Sequence, residues 1–94
     1  MAGLLEGREI DQAWDVPGSA DRIIFLKPLG RGQDENLIRV SNAGSLVWRA
    51  QLPETDDSWV ACRFEGGVVF ANSWSCYLVR LDANSGQIIS KTFT

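Results

Sequence analysis

Trp74 stands in the run Asn72-Ser73-Trp74-Ser75-Cys76, a short polar connection between two apolar segments. An indole presented beside an amide in a connection can stack on a sugar ring or dock into a partner. Acidic side chains gather at Glu54, Asp56 and Asp57, where they read either as a cation site or carboxylate pair, or as a solvated turn. Their spacing fits no EF-hand loop. Gly30-Arg31-Gly32 places a cation in a glycine-flanked connection, but no strand-to-helix pattern surrounds it, so it reads as a flexible loop rather than an anion cradle. Asn72, Trp74, Asp56, Asp57 and Arg31 are therefore the candidate binding residues, and no catalytic or metal-ligating set is expected.

Much other chemistry is closed to this chain. It has no histidine, which removes the commonest general base and metal ligand and every Ser-His or Cys-His arrangement within one chain. Cys62 and Cys76 have neither a neighbouring cysteine nor a histidine, so no zinc site is expected. Placed on strands with one strand between them, they sit too far apart for an unstrained disulfide and read as small buried thiols. The net charge of -3 comes with no basic stripe, so nucleic acid is not expected as a partner. The apolar runs are too short to span a bilayer. Met1 to Glu9 lacks the basic and apolar regions of a secretory signal. With only two cysteines, the chain reads as cytoplasmic, its thiols reduced.

The residues that could act are held by a repeat. Trp14 and Trp59 lie 45 residues apart, as do Ile23-Ile24-Phe25 and Val68-Val69-Phe70. Asn36-Leu-Ile-Arg-Val matches Tyr77-Leu-Val-Arg-Leu at a spacing of 41, and Gly44-Ser-Leu-Val matches Gly86-Gln-Ile-Ile at 42. Such a period suits four-stranded propeller blades. Repeat one covers about 12–53 and repeat two about 57–94, with 1–11 as an N-terminal segment. The strands are expected near Ala13 to Val16, Arg22 to Leu26, Leu37 to Ser41 and Leu46 to Gln51, then Trp59 to Phe64, Val68 to Asn72, Tyr77 to Asp82 and Gln87 to Phe93. Turn formers separate them, among them Pro17-Gly18-Ser19, Asn42-Ala43-Gly44, Glu65-Gly66-Gly67 and Asn84-Ser85-Gly86. No helical stripe is present. The fold is expected to be all-β: two four-stranded antiparallel propeller-like blades, with a two-sheet β-sandwich as the alternative.

The second segment of each repeat is apolar on both sides, which implies sheets covered on both faces at their inner strands. Two stacked blades cover only one face each. The two faces left over point to a cyclic homo-oligomer, a trimer of six blades or a tetramer of eight.

Leu81-Asp82-Ala83-Asn84-Ser85-Gly86-Gln87 resembles the blade signature of quinoprotein-like (PQQ-type) propeller repeats, Leu-Asp-Ala-x-Thr-Gly-x, which continues to a Trp four residues beyond the Gly. The first repeat keeps that Trp as Trp48 but has Ser41 in place of the Asp, and the second keeps Asp82 but has Ser90 in place of the Trp. The resemblance implies a propeller in which Asp82 and Gly86 set a tight turn. It implies no cofactor, because no residue matches a quinone site.

These features lead to an expected non-enzymatic binding or scaffold protein whose face loops hold a protein or small-molecule ligand. A carbohydrate-binding lectin is the alternative from another class. A third reading is a remnant of a larger quinoprotein-like propeller.

Overall fold

The computed structural model describes residues 4–5, 7–29 and 32–94. Among the described residues nine strands follow one another: β1 (Leu4–Leu5), β2 (Arg8–Asp15), β3 (Arg22–Leu26), β4 (Leu37–Val40), β5 (Leu46–Arg49), β6 (Trp59–Glu65), β7 (Val68–Ser73), β8 (Tyr77–Asp82) and β9 (Ile88–Phe93). They form two antiparallel meanders and no helix among the described residues. The first sheet has the order β2-β3-β4-β5, with the short β1 added beyond β2, and the second has the order β6-β7-β8-β9. Neither sheet closes on itself. β3 to β9 fall within a few residues of their expected places, β2 begins five residues early, and β1 was not expected. Of the N-terminal segment, Arg8 to Asp11 lengthen β2, and β1 pairs Leu4 with Glu9.

The main core lies between the sheets. Ile23, Phe25, Leu37 and Trp48 of the first sheet meet Trp59, Val69, Ala71, Val79 and Leu81 of the second. Burying such side chains is the main gain of the fold, at about 25 cal/mol per Å² of apolar surface. Directional contacts then fix how the sheets sit. Trp48 Nε1 donates to the Ala83 carbonyl at 2.8 Å, and Arg39 donates to the same oxygen at 2.7 Å while its Nε reaches Asp21 at 2.9 Å. The Trp48 ring covers Gly86, where an added Cβ would lie 2.6 Å from the indole. The two halves of the motif, divided between the repeats in sequence, thus meet in space. The turn itself works as expected: Asp82 Oδ1 accepts the Asn84 N–H at 2.9 Å, and Gly86 has φ +74°.

Asn36 makes the second clamp. Its amide is fully buried and donates to the carbonyls of Leu26, at 3.0 Å, and Trp59, at 2.8 Å. Its Oδ1 accepts the Trp59 N–H at 3.0 Å. The side chain stands in for a backbone ladder between the end of β3 and the start of β6, which no strand pairing joins.

Cross-strand register shows how the repeats correspond. In the first sheet Trp14, Ile23, Arg39 and Trp48 form one row across β2 to β5, facing the second sheet. In the second sheet Arg63, Phe70, Arg80 and Ser90 form a row across β6 to β9, facing away from the first. The matched Arg39 and Arg80 hold the same place in these rows, so the sheets stack with like faces pointing the same way. Trp14 and Trp59 are not equivalent, contrary to expectation: Trp14 pairs with Ile23, whereas Trp59 pairs with Ser73 and a bulge follows it. A bulge adds a residue and breaks sequence spacing without breaking the sheet.

The outer faces also differ from expectation. Ile24, Leu26, Ile38 and Val40, on the far face of the first sheet, are buried within the single chain with Ile10 packed against them. The far face of the second sheet is instead open in part: burial alternates along β7 and β8, with Leu78 39 % exposed. So the inner strands are covered on both faces only in the first sheet. One of the two faces expected to be free is closed.

Gly86→Ala is expected to lose about 2–4 kcal/mol in urea unfolding, from overpacking against Trp48 added to positive-φ strain. Gly44, at φ +85° with nothing within 4 Å of a built Cβ, is expected to lose only about 1 kcal/mol on the same change. Equal losses at the two sites would remove the indole–glycine contact from this account.

Candidate functional site

Alternating strand directions bring three connections to one end of the molecule: 27–36 after β3, 50–58 after β5, and 74–76 after β7. Asp57 joins them. Asp56 is exposed and takes a left-handed turn, φ 53°, a conformation that Asp tolerates better than most side chains. The chain then carries Asp57 inward, to 1 % exposure. Its carboxylate accepts the N–H groups of Ser58, at 2.9 Å, and Ser75, at 3.0 Å, together with the Ser75 hydroxyl. Its carbonyl accepts the Asp34 N–H at 2.9 Å. Asp34 is in turn held by Arg8 through two bonds, of 2.5 and 2.8 Å, and Arg8 also reaches the Lys27 carbonyl at 2.7 Å.

The turn above Asp57 is built from serines. Ser73 Oγ accepts the Tyr77 N–H at 3.2 Å and lies 3.0 Å from Ser75 Oγ. Trp74 N–H donates to the Ser58 carbonyl at 2.8 Å. Cys76 closes the turn at φ 73°, and its carbonyl accepts both the N–H and the hydroxyl of Thr94, at 2.8 and 3.1 Å. On this braced turn the Trp74 side chain is 71 % exposed.

An open groove of about 430 Å³ runs beside the same connections, lined by Gln33, Glu35, Gln51, Leu52, Pro53, Glu54 and Thr55. Tyr77 borders it, its hydroxyl donating to Glu54 at 3.2 Å. That bond comes first in raising the phenol's pKa, followed by desolvation and the nearby carboxylates. Lys91 Nζ lies 5.1 Å above the Tyr77 ring and 3.4 Å from the Pro53 carbonyl. The lining offers amide and carboxylate oxygens around a small apolar floor, which suits a ligand rich in hydrogen-bond donors. No group of His, Cys, Asp and Glu able to hold a metal ion exists among the described residues.

The expected residues thus divide. Asp57 and Trp74 come together, Asp57 as the buried support of the turn rather than as a solvated acid. Asp56 is exposed beside them. Asn72 lies on the far face of the second sheet, between Ala61 and Leu78, because its position in β7 points opposite to the core. Arg31 lies outside the described residues. Of the groove residues only Glu54 was singled out, and the Asp34–Arg8 pair was not anticipated, although Asp34 and the groove lie in the two longest connections, where binding residues concentrate. Both thiols are free. Cys76 is exposed in the turn rather than buried on a strand, while Cys62 is half-buried and burial pushes its pKa up to about 12.

Fold and site together define an all-β protein of two meander sheets that presents a braced loop end with an exposed indole. The chain matches the family described as Domain of unknown function (DUF7957) over residues 7–93, and belongs to that family. No curated protein matches it. This finding corrects the quinoprotein-like resemblance: the family covering the chain is a different one, with no match to PQQ repeats. The shared residues are explained by local turn chemistry, since an Asp that caps its own turn and a Gly at positive φ serve any hairpin of this shape.

Two outcomes are expected at this end. Asp57→Ala strands three donors and should lower stability by about 2–3 kcal/mol, with faster acrylamide quenching of Trp74 fluorescence. In the folded protein at pH 8, a disulfide exchange reagent should titrate one thiol, Cys76, quickly; Cys62 should react only on unfolding, because the thiolate is the attacking form. Two fast thiols would contradict the burial of Cys62.

Proposed function

We propose that the chain is a non-enzymatic binding protein that holds a partner protein at its loop end, with Trp74 as the anchor. The observation that carries this reading is the contrast between an indole 71 % exposed and the turn beneath it, which is braced by Asp57, Ser58, Ser73 and Thr94. Large aromatic side chains dominate binding energy at interfaces. Holding one on a fixed turn reduces the ordering cost of association. A chain without histidine has little means for acid–base catalysis near neutral pH, which favours binding over an enzymatic role. A cytoplasmic setting fits a chain with two free thiols.

Carbohydrate binding is the second reading. It is favoured by the groove, whose Gln33, Glu35, Gln51 and Glu54 offer acceptors to sugar hydroxyls on the end that carries Trp74. The like-facing stack of the two sheets supports a propeller-type relation between the repeats.

The test is a random-peptide display selection on the full chain, with fluorescence titration of a sugar panel in parallel. Selected peptides that lose at least tenfold in affinity to Trp74→Ala, with no response to sugars, are the expected result. Quenching by a sugar that Trp74→Ala abolishes would replace this reading with the second. Binders indifferent to Trp74 would overturn both roles for the indole.

A further inference from the structure

Because the sheets stack with like faces pointing the same way, the far face of β6 to β9 corresponds to the face with which the first sheet holds the second. It is therefore built as an interface face, yet no described residue covers it fully. Leu78 is 39 % and Val60 40 % exposed, and Phe70 is only partly buried. A shallow depression of about 190 Å³ lies over Ala61, Arg63, Phe70, Asn72 and Leu78. The first sheet's far face is buried within the chain, so a head-to-tail ring lacks its second surface. A self-complementary contact needs only one.

The charges on the open face are ordered in rows. Arg63, Phe70 and Arg80 occupy one row. Glu65, Val68 and Asp82 occupy the next along the strands. Arg63 lies over the Phe70 ring, 4.6 Å from its centroid, and 3.7 Å from Glu65. Turning a second copy about a two-fold axis that lies in the interface, across the strands and between these rows, sets each basic row on the partner's acidic row. Arg63 then faces the second copy's Glu65, Arg80 its Asp82, and Phe70 its Val68. A two-fold axis along the strands would set Arg on Arg instead.

We propose that the chain forms a two-fold homodimer through the outer face of β6 to β9, with Arg63 and Arg80 paired to Glu65 and Asp82 of the second copy and Phe70 and Val68 in its apolar centre. The loop end with Trp74 stays free on both copies, so this contact is independent of the partner-binding reading. Four strands about 4.8 Å apart and some five residues of about 3.3 Å give a patch of roughly 19 by 17 Å. Two such patches make roughly 650 Å² in total, below the size of most stable interfaces, which implies a weak, concentration-dependent equilibrium.

Light scattering after size exclusion, and sedimentation over a range of concentrations, test this with four chains: wild type, Arg63→Glu, Glu65→Arg and the double exchange. Circular dichroism serves as the fold control. The expected result is a concentration-dependent wild-type dimer, single variants at least tenfold weaker, and a double variant restored to within a few-fold of wild type. The double exchange keeps the pairing across the axis and the contact within the strand, so its recovery separates charge pairing from damage to the sheet. A wild-type monomer at millimolar concentration, a closed trimer or tetramer, or a double variant that stays monomeric would each overturn the proposal.

Discussion

One carbonyl oxygen governs how the two sheets sit together. Ala83 O, in the turn after β8, accepts from both Trp48 and Arg39 of the first sheet. The Trp48 ring closes over Gly86 in the same turn. Apolar packing alone leaves two flat faces free to slide or rotate, because the hydrophobic effect has no direction. Two charge- or dipole-directed donors converging on one acceptor remove that freedom. Asn36 repeats the device at the other side of the core, where its buried amide replaces the backbone pairing that Trp59 lacks. The Trp48 and Arg39 donors at Ala83 and both ends of the Asn36 amide have partners, the condition under which buried polar groups specify an arrangement instead of weakening it, while the indole N–H of Trp59 is buried without one.

The loop end depends on this arrangement. With the sheets fixed, the connections 27–36 and 50–58 meet at Asp34 and Asp57, and Asp57 reaches up to hold the 74–76 turn. Two non-glycine residues, Asp56 and Cys76, occupy left-handed conformations there. Such conformations cost of order 1 kcal/mol and persist where surrounding bonds determine them. Polar groups are spent inward at this end, while Trp74, Leu29 and Phe93 are left outside. The two sheets also part company in their surroundings. The first is covered on both faces, while the second keeps an outer face of apolar and charged rows.

Strand positions and the turn of Asp82 and Gly86 were legible in the sequence. Period-two alternation, glycine at positive φ and self-capping Asp are local rules, and each is written within a few residues of where it acts. The exposure of Trp74 was legible for the same reason, since a short run between two strands has no core to enter. By contrast, Val68 to Ala71 read as buried on both sides, and the structure leaves Phe70 partly open beneath Arg63. Apolar character states what a side chain tolerates, and says nothing of whether a neighbour arrives to cover it.

What the sequence determined by itself is therefore an all-β chain of two antiparallel sheets with its breaks in the right places. Only the tertiary structure decided that Asp57 is a buried support, that Asn36 and Trp59 share a clamp, that Trp14 and Trp59 are not equivalents, and that one outer face is closed and the other open. The first two rest on hydrogen bonds between residues distant in sequence, Ser75 to Asp57 at 18 and Asn36 to Trp59 at 23. A one-residue bulge suffices to move such partners while leaving the local pattern unchanged.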